Sequence, residues 1–182
     1  MRKHLLLTLA TMVTLVATAG LLRAIAGPTV RRPASPDVQF MLAAAESGRA
    51  EVELSLLAQK KAASARVKAA AQRIETDRQT ANAELEVLAG AKNLQLPTDG
   101  AEGHASAIAT LDTMSGAAFD RAWAEQMIKE HEAAIDLFSK QSTSGGDAEV
   151  RAFAAKQLPA LRAHLKQSQA LLETRAGGGA RR

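Results

Sequence analysis

Between Ser64 and Asn93 one side of the sequence repeats: Val67, Ala71, Ile74, Arg78, Ala81, Leu85 and Leu88 recur at alternating spacings of four and three. A strand turns successive side chains to opposite faces, so it cannot gather this set; a helix can, and presents it as a seam for other helices. Phe119, Trp123, Met127, His131, Ala134 and Phe138 repeat the pattern after Ser115, and Val150, Ala154, Leu161, Leu165 and Leu172 follow it more loosely after Asp147. The chain is rich in alanine, has no tyrosine or cysteine, and holds only four phenylalanines and one tryptophan, a composition that favours helix over sheet.

The helix ends are marked by their capping residues. Ser35, Pro36 and Asp37 suit an N-terminus, and the first helix is expected to end near Ala63. Ser64 caps the second, which Asn93 and Pro97 close; Ser115 caps the third long helix, and Gly145-Gly146 breaks it. Asp147 caps the fourth, with a kink expected at Pro159. The joins on either side are short and demand antiparallel hairpins, whereas the stretch from Lys92 to Ser115 is long enough to return along the molecule, with a short helix expected over 101–114. The expected fold is all-α: a four-helix bundle over residues 35–173, with one long crossover between helices two and three.

The first 26 residues differ from the rest. A basic start is followed by an uncharged run from Leu5 to Leu22, the design of an export signal, with cleavage after Ala19 or Ala26. If uncut, the run is just long enough to anchor the chain in a bilayer. Residues 27–34 read as a linker and 174–182 as a disordered tail. The expected location is the periplasm or cell envelope, with membrane contact only through residues 5–22.

The formal net charge of +4 comes from the two ends, since residues 33–174 hold 15 Lys+Arg against 19 Asp+Glu. No basic stripe interleaved with aromatics is present there, so nucleic acid is not an expected partner. Without cysteine there is no disulfide, thiolate nucleophile, iron-sulfur cluster or cysteine-held zinc. No Gly-x-Ser-x-Gly elbow or phosphate-binding glycine loop occurs either, and no catalytic residue is assigned.

One candidate site remains, a polar layer at mid-height. Glu46 and Glu53 lie at the edge of the first helix's apolar face, Asp77 and Arg78 sit on the second helix, Glu130 and His131 on the third, and His164 on the fourth. A carboxylate-bridged metal pair takes Glu-x-x-His from two helices, but Ile128 and Leu161 stand three residues before the two histidines. The favoured reading has no cofactor: Arg78 pairs with Glu46, Glu53 or Glu130, and His131 is a core histidine with one satisfied ring nitrogen. The alternative is a single divalent metal at His131 and His164 with one carboxylate. His104 reads as a solvated residue of the crossover.

Five segments carry a resemblance: AESGRAEVELSLLAQKKA (45–62), VKAAAQRI (67–74), MSGAAFD (114–120), KEHEAAIDLF (129–138) and RAFAAKQLPALRAHL (151–165). They resemble the bacterial domain of unknown function 4142, a family of exported proteins. The resemblance implies a ferritin-like fold but brings no established activity. The family often shows an Asp-His pair in the second helix and another in the third. Here those places hold Asp77-Arg78 and Glu130-His131, so the first pair has lost its imidazole. The expected function is a non-enzymatic binding, structural or stress-related role in the envelope, possible partners including another envelope protein. The rivals are a ferritin-like metal-binding or oxidase-like protein and a membrane-tethered docking domain.

Overall fold

The computed structural model describes residues 34–98 and 102–176, and the expected signal, anchor and most of the linker lie outside them. Those residues form α1 (Pro36–Lys61), α2 (Ala65–Ala91), α3 (Glu102–Asp112), α4 (Gly116–Ser144) and α5 (Ala148–Ala176), with no strand among them. The short helix expected in the crossover is α3. α5 continues to Ala176, past residue 174 where the tail was expected to start, and residues 177–182 of that expected tail lie outside the described residues.

Cross-helix pairs fix the directions. Arg49 with Glu86 and Gln59 with Glu75 make α1 and α2 antiparallel. Asp37 with Gln141 and Trp123 with the Leu54 carbonyl do the same for α1 and α4. Lys92 with Asp147 and Lys156 with Glu84 set α5 antiparallel to α2. It follows that α2 and α4 run the same way, so the connection through α3 must travel back along the molecule. It packs against α1 and α4 as it does so.

The ends are held by carboxylates more than by the expected serines. Ser35 accepts from the Val38 amide at 3.3 Å, but Ser64 and Ser115 make no capping bond through their side chains. Asp120, reaching from α4, accepts from the amides of Ala63 and Ser64 at 3.0 Å each and closes the α1–α2 turn. Asp147 caps α5 by accepting from the Glu149 and Val150 amides at 2.9 and 3.1 Å. Gly116 opens α4 at φ +61°, a conformation that a side chain would strain. α5 runs unbroken through Pro159, which is exposed.

Two apolar clusters fill the interior. One gathers Phe40, Met41, Leu85, Phe138, Phe153 and Leu161, with the Phe40 and Phe138 rings edge to face at 4.9 Å. The other gathers Leu54, Val67, Ile74, Phe119, Trp123 and Met127. Between the clusters α1, α2 and α4 also bury the ionisable side chains Glu51, Arg78 and His131. The polar layer is therefore a partition between two apolar cores.

Candidate functional site in the buried polar layer

Glu51, Arg78, His131 and His164 come from four different helices, and their exposures are 0%, 2%, 0% and 0%. Each sits where its helix seam demands an inward residue, so burial follows from position even though it opposes the chemistry. Glu51 Oε2 lies 3.6 Å from Arg78 Nε and 3.2 Å from His131 Nε2. Neither contact is directed well enough to count as a hydrogen bond, and Ser55 and Ser168, one turn away on α1 and α5, also hold buried hydroxyls without a partner. Arg78 is the expected buried cation.

Its partner differs from the expectation. Arg78 does not pair with Glu46, Glu53 or Glu130: Glu53 is exposed beside Arg49 and Glu86 in a groove of about 300 Å³ between α1 and α2, and Glu46 and Glu130 face another pocket. The carboxylate that meets it is Glu51. A signal for Glu51 existed in the sequence, since Ala44, Gly48, Glu51, Ser55, Ala58 and Ala62 also recur at alternating spacings of four and three. This stripe is made of small and polar residues, and the more apolar stripe of Ala43, Ala50, Leu54 and Leu57 draws attention away from it. Both stripes reach the interior, since Ala50 and Leu54 are as fully buried as Glu51 and Ser55, and at Gly48 a Cβ would fall 2.1 Å from Asn82 Oδ1 on α2.

The histidines are each anchored by one nitrogen. His131 Nδ1 lies 2.6 Å from the Met127 carbonyl, and because a carbonyl only accepts, Nδ1 carries the proton. His164 Nε2 lies 2.8 Å from Asp77 Oδ2, and His164 Nδ1 is buried with no partner. The two rings meet edge to face with centroids 5.3 Å apart. Asp77 is half-exposed and also contacts Arg73 at 3.7 Å, which ties the layer to the surface. His164 is fully buried.

Burial by itself pushes the Glu51 carboxyl up, but the Arg78 guanidinium and the neighbouring His131 and His164 rings outweigh it and hold Glu51 below the usual carboxylate range. Burial pushes His164 below its ordinary value; the Asp77 hydrogen bond opposes this, while His131 and Arg78 reinforce it. Among the described residues no three His, Asp or Glu side chains are arranged to hold a metal ion. What the layer does hold is a carboxylate, a guanidinium and two imidazoles in mutual contact.

Glu130 belongs to a separate, half-buried pair. Its Oε2 lies 3.1 Å from His104 Nε2 on α3, and its Oε1 accepts from Gln126 at 2.6 Å. His104 is thus a helical residue packed on α4 rather than a solvated one. Glu46 shares with this pair a pocket of about 230 Å³ walled by Ala43, Ala133, Ala134 and Leu137.

Residues 25–171 match the model of a family described as a domain of unknown function, DUF4142. The chain belongs to that family. No curated protein matches it. Among solved structures it is similar to a DUF305 fragment from Deinococcus radiodurans, with TM-score 0.69, 16% identity, and coverage of 78% of this chain and 97% of that one. It is also similar to CopM in its Cu(II)-bound form, with TM-score 0.66, 20% identity, and coverage of 76% and 96% respectively. At these identities the likeness is one of fold.

Proposed function

We propose that this chain is an exported helical-bundle protein of the cell envelope with a non-enzymatic binding, structural or stress-related role. Its long helices are read as a ferritin-like four-helix bundle, in agreement with the antiparallel pairs and the long return through α3. The observation that carries the reading is Arg78 against Glu51. In bundles that do metal chemistry the interior carboxylates face metal ions, whereas here the fully buried carboxylate faces a cation that belongs to the chain and is always charged. The basic start and apolar run of residues 1–26 support export.

Calorimetric titration of the purified domain with iron, manganese, zinc and copper tests the reading. Copper belongs in the series because one structural relative is described in a Cu(II)-bound form. The parent is expected to take up none tightly. Arg78→His, which restores the family's Asp-His pair and adds an imidazole beside His131 and His164, is expected to bind measurably better. Tight stoichiometric binding by the parent, abolished in His131→Ala, would overturn the proposal in favour of a metal-binding protein.

A further inference from the structure

The layer's charges can be counted atom by atom. Glu51 and Asp77 supply two negative charges, and Arg78 beside Glu51 and Arg73 beside Asp77 supply two positive charges. His131 Nδ1 already donates to the Met127 carbonyl, and its Nε2 approaches Glu51 Oε2 at 3.2 Å. These charges balance without a further proton. His164 has no place for a second one: its Nε2 donates to Asp77, and its Nδ1 is buried without an acceptor.

We propose that His164 is an acid-sensitive latch, in which the arrival of a second ring proton, on its buried Nδ1, loosens the packing around α5. The groups facing His164 are Glu51 from α1, Asp77 and Arg78 from α2, with Arg73 behind Asp77, and His131 from α4. Only Asp77 favours the second proton by direct contact. Against it stand full burial, the neighbouring imidazole and the guanidinium, and the new N–H would have nothing to bond. The inference rests on the reading of Arg78 as the layer's resident cation, because a bound metal would alter the count.

The direction of the pH effect follows from linkage. Folding depresses the His164 pKa below its ordinary 6.5, so below that pH the unfolded chain binds a proton that the folded chain refuses. This contribution to stability is complete above pH 6.5 and is lost as pH falls towards the folded value. Glu51, also depressed, adds its own loss only below about its ordinary 4.5.

Urea unfolding of the full chain at pH 7.5, 6.5 and 5.5, with chelator present, reads the upper window. In the parent the folded-to-unfolded ratio is expected to fall by up to about tenfold per pH unit below 6.5. In His164→Gln, whose amide can still donate to Asp77, that fall is expected to vanish. Nitrogen NMR of the histidine rings gives a readout that does not depend on the variant: His164 Nδ1 should stay unprotonated until the tertiary signals broaden. A parent of constant stability across the window, an equal fall in His164→Gln, or His164 protonating above pH 6.5 in an intact fold would each overturn the latch. Metal uptake by the parent in the separate titration would overturn the functional reading instead, so the two failures are distinguishable.

Discussion

Glu51 has no exposed surface, and the guanidinium 3.6 Å away is the nearest full positive charge given to it by another helix. Removing that charge alone should be costly, because the carboxylate cannot recover its water. Arg78→Leu is expected to lower stability by about 3 kcal/mol, the lower end of the range for breaking a buried pair. Replacing both partners, as in Glu51→Leu with Arg78→Met, should recover most of the loss, since apolar residues of similar size need no solvation. Chemical denaturation of the two variants beside the parent measures the difference. Equal losses in both would show that packing volume, rather than charge, governs the layer.

At the scale of elements, the turns depend on side chains remote in sequence. Asp37, in the first turn of α1, accepts from Gln141 Nε2 at 2.6 Å, from the Gly146 amide at 3.0 Å and from the Asp147 amide at 3.1 Å. One carboxylate thereby ties α1 to the α4–α5 turn. Asp37→Ala should cost about 2 kcal/mol, within the range for lost caps and for hydrogen bonds to charged groups. Amide exchange should quicken first at residues 145–150. Pro159 gives a contrasting expectation, since α5 passes through it while the carbonyl one turn earlier lacks its helical donor. Pro159→Ala should stabilise the chain by about 1–3 kcal/mol, read as a shift in urea midpoint at unchanged m-value.

For the whole molecule, the two apolar clusters and the layer between them divide the work: the clusters supply burial, and the layer supplies a charge arrangement that one register of the four long helices satisfies. The proposed export belongs to the same scale. With cleavage after Ala19 or Ala26, the mature chain in host envelopes should begin near Gly20 or Gly27, which intact mass would reveal. A full-length mass in the membrane fraction would convert the signal into an anchor, and a full-length mass in the cytosol would remove export altogether.

The alternating spacings of four and three determined the helices. They marked α2 and α4 almost residue by residue, because periodicity is local and survives without knowledge of neighbours. Connection lengths determined the hairpins and the long return, and family membership was legible in the five quoted segments. The partner of Arg78 was not. On a helical wheel Glu46, Glu53 and Glu51 all lie near a core edge, and the choice among them depends on the rotation of α1 against its neighbours. In the packed bundle Glu51 is fully buried beside Ala50, Leu54 and Ser55, while Glu53 is exposed and Glu46 half-buried. His104 changed from a solvated residue to the partner of Glu130 for a like reason, because α3 packs on α4. Spacing along one chain fixes which residues share a face; which of two nearby faces is buried, and which charges then meet, depends on the rotation of helices about their own axes, a quantity that exists only once they are packed together.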